Sequence, residues 1–267
     1  GQPVRTLRFP VDPHIEPLWP EHRATVLGGS VFSWMGTTLL RTAMDEESAP
    51  FMVSNHTAPL SGVIRHGHAV WWWALDGTIQ QHGSGGEVLR SWRAPEPIEG
   101  LRSQAGGVLA WGGRGGIWWW ADSAAAPEEI ARRTLTVCDA VVVGDRQVLS
   151  VDASGLLQYG TQTIDGFLRA RFQPVGVQAL VVDPSRSGIW WSDGDQLRLV
   201  ARTGSALLAW HVESGLLWTG EERGLLQQWS LQNGAIACEV LGPIQRVQTV
   251  GSKLSALHSS GHLSSWS

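Results

Sequence analysis

The chain is poor in most of the residues that announce chemistry. Of its 267 residues only two are cysteine, one is tyrosine and one, Lys253, is lysine, and Asp, Glu, Lys and Arg together make up 16%. Two cysteines, Cys138 and Cys238, cannot make a disulfide framework; each lies in an apolar, strand-like run, so both read as buried free thiols. No apolar run is long enough to span a bilayer, and the start carries no secretory pattern, so the chain reads as cytoplasmic. A net charge of -4 leaves no electrostatic footprint for nucleic acid or for an anionic membrane. There is no nucleophile elbow, no phosphate loop and no His-Glu zinc helix, so neither catalysis nor a cofactor is indicated.

Glycine and tryptophan are abundant instead, at 32 and 16 residues, and hydrophobic content is 43%, which marks a folded chain with many turns. The two residue types recur in one phrase: glycine, any residue, an apolar residue, two residues, tryptophan. It is clearest at Gly224–Trp229 and Gly261–Trp266 and returns at Gly29–Trp34 and Gly115–Trp120. Weaker copies are Gly77–His82, Gly155–Tyr159 and Gly194–Leu199. Glycine permits the positive φ of a tight turn. The apolar residue two places on and the aromatic five places on have opposite parity, so in a strand they point to opposite faces. A strand apolar on both faces belongs to a sheet covered on both sides, as in a propeller blade.

The turn glycines stand at 29, 77, 115, 155, 194, 224 and 261, at intervals of 48, 38, 40, 39, 30 and 37. A period of roughly 40 is that of propeller blades, and the intervening segments alternate as strands do. The expected fold is therefore all-β, a single β-propeller domain over 1–267 with seven blades of mostly four antiparallel strands. The blades are placed near 3–34, 35–82, 83–120, 121–160, 161–200, 201–229 and 230–267, the phrase falling on each fourth strand. The short 194-to-224 interval predicts only three strands in the sixth blade. Residues 44–50 read as a polar insertion, and Ala124–Arg133 reads as strand or as a short helical turn.

Gly224-Leu-Leu-Gln-Gln-Trp229-Ser-Leu-Gln-Asn-Gly234 resembles the end of a WD40 repeat and the turn after it. Gly77–Trp92, with Gly86 after the strand, resembles a quinoprotein-type repeat. The likeness to WD40-like and quinoprotein-like propellers covers nearly the whole chain at the level of the repeat. The Trp-Asp pair is absent, since Ser230 follows Trp229 and Ser267 follows Trp266, and so is the upstream Gly-His pair.

Candidate site residues are few. His66 and His68 would lie on one face of a strand but have no acid or cysteine beside them, so they read as turn residues and no metal is assigned. Asp193-Gly194-Asp195 lacks the later ligands of a calcium loop. Trp71–Trp73, Trp118–Trp120 and Trp190–Trp191 could stack sugars, but their alternation in strands covered on both sides makes them core. Arg23, Arg65, His66, Arg146, Arg186 and Lys253 fall on turns read as lying on one face, where they would contact a protein partner. The chain is thus expected to be a non-catalytic protein-interaction module, a scaffold or sensor subunit of a multiprotein, bacterial system. The alternatives are a propeller that binds a glycan or small ligand through exposed tryptophan and a propeller enzyme with a central-pocket site.

Overall fold

The computed structural model describes residues 24–27, 29–43, 51–168, 170–183, 188–192, 196–202, 207–213, 216–221, 225–231, 234–240, 244–250, 253–258 and 263–266; side-chain surroundings are described except at 207–213, 225–226 and from 234 onward. All regular structure among these residues is β. The chain divides into two compact units, the first ending at Cys138 and the second beginning at Asp139.

Each sheet is a meander in which consecutive strands pair. The first unit holds three four-stranded sheets: Ala24–Leu27, Ser30–Met35, Thr38–Ala43 and Phe51–Asn55; Leu60–His66, Ala69–Ala74, Thr78–His82 and Val88–Arg93; Ile98–Gln104, Gly107–Gly112, Gly116–Ala121 and Glu128–Arg132. The fourth sheet is Val137–Val143, Gln147–Asp152, Leu157–Tyr159 and Gln162–Ile164, and the fifth is Arg171–Val175, Gln178–Asp183, Gly188–Ser192 and Leu197–Arg202. The sixth is Leu207–Glu213, Leu216–Glu221, Leu225–Ser230 and Gly234–Val240; the last has three strands, Ile244–Val250, Lys253–His258 and Leu263–Trp266.

At most boundaries the grouping differs from the sequence expectation by one strand. The phrase falls on third strands, not fourth: Trp120 lies in Gly116–Ala121, Trp229 in Leu225–Ser230 and Trp266 in Leu263–Trp266. Trp34 lies in a second strand, and Leu197–Arg202, which follows the weak copy at 194, is a fourth strand. The copy at Gly29 follows a genuine turn, with φ 72°, but a different turn of the meander. Third strands start at 38, 78, 116, 157, 188, 225 and 263, so the steps are 40, 38, 41, 31, 37 and 38. The sixth sheet is therefore complete, closed by Gly234–Val240, and among the described residues it is the last sheet that has three strands. Glu128–Arg132 is a strand and not a helical turn.

Why glycine opens the phrase is visible at three positions. Gly77, Gly115 and Gly155 have φ of 86°, 89° and 82°. Each also gives its carbonyl to the chain leaving the fourth strand: Ala94 N–H donates to Gly77 O at 2.9 Å, Arg133 N–H to Gly115 O at 2.7 Å, and Phe167 N–H to Gly155 O at 2.8 Å. A Cβ at 77 would press on the carbonyls of Ala94 and Glu96, and one at 115 on that of Arg133. The glycine both makes its turn and fastens the sheet's last strand.

The tryptophans obey the parity expected of them. In Ala69–Ala74, Trp72 enters the core between the first and second sheets with Phe32, Leu39 and Val63. Trp71 and Trp73 enter the core between the second and third with Ile98, Leu101, Trp118 and Trp120. All three are at most 2% exposed. In the second unit Leu180, Val182 and Trp191 face the sixth sheet, whereas Ala179 and Val181 face the fourth. Indoles need room in a sheet, and glycine provides it. Trp73 lies over its cross-strand partner Gly62, Trp111 over Gly100, and Trp118 and Trp190 over Gly116 and Gly188 two residues before them.

His82 stands where other copies place tryptophan. It is fully buried, accepting from Trp72 Nε1–H at 2.9 Å through Nε2 and donating from Nδ1 to Gly86 O at 2.9 Å. Cys138 departs from expectation: it is exposed, because its neighbours Val137 and Asp139 take the buried parity of the strand. The side chain of Cys238 lies outside the described residues.

The outer strands share a device. Pairing shifts register at Val53 in the first sheet, Leu89 in the second, Ile130 in the third, Val200 in the fifth and Ile236 in the sixth, each left as an extra residue opposite the third strand. The fourth sheet's outer strand has no bulge but is only three residues long.

Two measurements test this account. Trp120→Ala removes an indole 3% exposed, packed edge-on against Trp71 at 4.8 Å, and should cost about 3–5 kcal/mol in chemical denaturation; a loss under about 1 kcal/mol would contradict the packing. Burial holds His82 below its ordinary value of 6.5, against the opposing pull of its Gly86 bond and of Glu87. The unfolded chain therefore takes up a proton near pH 6.5 that the folded one refuses. This contribution to stability is present above that pH and is lost as pH falls toward the folded value, by up to about 1.4 kcal/mol per pH unit. His82→Gln, which keeps an acceptor for Trp72, should flatten the acid limb of a melting-temperature profile between pH 7 and 5.

Candidate interaction surface

Short turns between first and second strands carry Arg65, His66 and Arg146 of the residues singled out in the sequence, and Lys253 begins a second strand. The turns at Gly67, Gly106 and Gly176 use glycine at φ of 57°, 83° and 63°, the left-handed conformation of tight hairpins. The turn at 144–146 places Arg146 itself at φ 63°, at a steric cost of roughly 1–2 kcal/mol for a residue with a Cβ. That turn is anchored from its glycine, where Gly144 N–H donates to Val177 O of the next sheet's turn at 2.7 Å.

In the first unit, His66 ends the first strand of the second sheet and is committed to a cross-link. Its Nδ1 is 2.8 Å from Ser103 Oγ, at the equivalent strand end of the third sheet. Its Nε2 is 2.6 Å from Asp122 Oδ1, just past the third strand of that sheet. An ionised carboxylate can only accept, so Nε2 carries a proton, and in the neutral ring Nδ1 then accepts from the serine hydroxyl. Serine, histidine and acid in series are the parts of a nucleophilic relay. Here the acid side chain is 61% exposed, so water shares its charge, and the same bonds join two sheets. Histidines 66 and 68 flank Gly67 in a turn rather than lying along one strand face, and among the described residues no three metal-ligating side chains are gathered.

The segment after Asp122 is held from the outer side as well. Arg90, in the second sheet's fourth strand, donates through Nη1 to Ala124 O at 2.9 Å and through Nη2 to Asp122 O at 3.0 Å. Trp120 Nε1–H also reaches Ala124 O, at 3.1 Å. Beside these bonds lies an open cleft of about 490 Å³ lined by Leu89, Arg90, Ser91, Ser123, Ala124 and Ala125.

Arg65 is exposed, donating from Nε to Gly67 O at 3.0 Å, and so is Arg146. Lys253 begins the second strand of the last sheet; its side chain lies outside the described residues, as do Arg23, Arg186 and Asp193–Asp195 altogether. Arg65 and His66 are brought together in the first unit, while Arg146 and Lys253 belong to the second. Ser103, Asp122, Arg90 and Ser123 carry no sequence signal, being distant in the chain and ordinary in their runs. Two carboxylates are displaced from their usual range. Burial raises Glu99. Burial also works to raise Asp76, but hydrogen bonds from Thr78 and His56 outweigh it and leave the group lowered. Among the tryptophans whose side-chain surroundings are described none is exposed; Trp34, Trp92, Trp190 and Trp218 are half-buried and the others buried.

No family model matches the chain, and no curated protein matches it. Among solved structures it is similar to one titled a mitotic checkpoint complex, at 13% identity and a TM-score of 0.59, covering 99% of both chains. It is also similar to the computationally designed Ika8 protein, at 13% identity and a TM-score of 0.50, covering 92% of this chain and 96% of that one. The likeness and the strand meanders together make the fold an all-β propeller.

His66→Ala should release the 122–124 segment from the inner side while leaving the sheets intact. Amide hydrogen exchange at Asp122 and Ala124, which donate to Gly106 O and Ala121 O, should accelerate on that substitution. Unchanged exchange there would mean Arg90 and Trp120 hold the segment without His66.

Proposed function

We propose that this chain is a non-catalytic protein-interaction propeller of seven blades, serving as a scaffold or sensor subunit of a multiprotein assembly in the cytoplasm. The observation that carries this reading is the stiffness of its polar turns. Gly144 N–H on Val177 O and His66 between Ser103 and Asp122 fix turns of neighbouring sheets to each other, so that exposed arginines are presented with little ordering entropy left to lose. Likeness to a chain from a mitotic checkpoint complex, a multiprotein assembly, fits the same reading.

Arg23, Arg65, His66, Arg146, Arg186 and Lys253 form the proposed contact set. Arginine makes bidentate contacts to carboxylates and is enriched at interface hot spots. With a net charge of -4, nucleic acid is a poor ligand, because phosphate contacts need net positive charge, and no membrane surface is expected as partner. The glycan-binding alternative rests on exposed indoles, and every tryptophan whose side-chain surroundings are described is at least half-buried.

Double charge reversal, Arg65→Glu with Arg146→Glu, should abolish capture of the native partner with the melting temperature nearly unchanged, since both side chains are exposed. Undiminished capture would move the interface to the outer strands.

A further inference from the structure

We infer that the cleft between the second sheet's outer strand and the 122–125 segment accepts a carboxylate side chain from an acidic segment of a protein partner. This rests on the interaction-module reading and names the partner's chemistry.

Arg90 is the one charged residue lining the cleft. Its guanidinium has five N–H donors, of which the carbonyls of Asp122 and Ala124 engage one on each terminal nitrogen. Those carbonyls hold the group in place but carry no net charge, so the cation is positioned without being neutralised. The neighbouring carboxylate, that of Asp122, is turned to His66. Ser123 adds a hydroxyl at the same wall, whereas the Ser91 side chain is turned to the other face of its sheet, where Oγ accepts from Gln80 Nε2 at 3.4 Å. A fixed guanidinium with a hydroxyl beside it can donate to one carboxylate.

The rest of the lining says what must accompany that carboxylate. Leu89, Ala124 and Ala125 are apolar, and Leu89 is 51% exposed at the strand's bulge. A volume of about 490 Å³ suits one or two residues and not a large ligand. The bulge breaks the regular row of backbone donors and acceptors along Val88–Arg93, which disfavours addition of a partner strand to this edge. Recognition then falls to side chains: a glutamate or aspartate beside a small apolar residue.

The test uses N-acetyl-Leu-Glu-amide as probe, with N-acetyl-Leu-Gln-amide and acetate as controls, followed by the amide resonances of the whole chain. The glutamate peptide should shift Arg90, Ser91 and Ser123–Ala125 saturably. The glutamine peptide and acetate should each bind at least about tenfold more weakly, because one lacks the charge and the other the apolar neighbour. Arg90→Gln should remove binding. As that change also unpins the segment, Ser123→Trp serves as a second variant, filling the cleft while sparing the Arg90 bonds. Equal binding of the glutamine peptide, shifts mapping elsewhere, or full binding to both variants would overturn the proposal. Acetate binding as well as the glutamate peptide would also overturn it, in favour of a free-anion site. Native partner capture that survives Ser123→Trp but fails on Arg65→Glu with Arg146→Glu would sink the cleft and leave the interaction reading standing.

Discussion

Indole laid flat on glycine is the contact on which the packing depends. Stacked sheets sit about 10 Å apart, and a tryptophan standing upright on each would not fit that spacing. Where Trp73 crosses Gly62 and Trp111 crosses Gly100, the missing Cβ lets the ring lie along its own sheet. The face stays smooth enough for the next sheet to close over it. That is how a single strand can carry Trp71, Trp72 and Trp73 in succession and bury all of them. A methyl group at residue 62 or 100 would lift a ring that has nowhere to go, the overpacking situation that usually costs 1–3 kcal/mol.

The polar residues buried between sheets follow the same economy of position. Asp139 is wholly buried yet accepts from Ala140 N–H at 2.8 Å and from Phe172 N–H at 2.9 Å, tying the first strand of the fourth sheet to that of the fifth. Asp152 accepts from Ser154 and Leu156 N–H and so shapes the turn that the phrase glycine Gly155 completes. Trp229 donates to Thr219 Oγ at 3.0 Å, as Trp72 donates to His82. Each of these polar groups is admitted with a partner at hand.

The repeat was readable from the sequence because its two signals have separate causes. Positive φ demands glycine at 77, 115 and 155, and two-sided burial demands apolar residues of both parities after it. What the phrase could not reveal is which of the meander's turns each copy marks. Gly29 has the same φ requirement as Gly77 but precedes a second strand, so the first boundary, set at 34, falls two strands short of the sheet's end at Asn55, and most later boundaries fall one strand short. His66 was picked out as a polar turn residue, yet its bonds to Ser103 and Asp122 depend on strand ends 37 and 56 positions away. Arg90 and Ser123 meet only because two sheets pack, and nothing in either local run records it. Cys138 shows the limit of reading an apolar run as burial, since one residue of phase decides which side faces out.

The bulged outer strands bear on how copies of this molecule behave when crowded. A flat, regular rim would let one molecule's edge extend another's, and such growth has no natural end point. Here the extra residues at Val53, Leu89, Ile130, Val200 and Ile236 interrupt that rim in five sheets, and the fourth sheet presents an edge too short to template. A chain made almost wholly of strands can thus be synthesised in quantity without seeding fibres from these rims, and its contacts with other molecules are left to side chains, whose chemistry selection can tune one residue at a time.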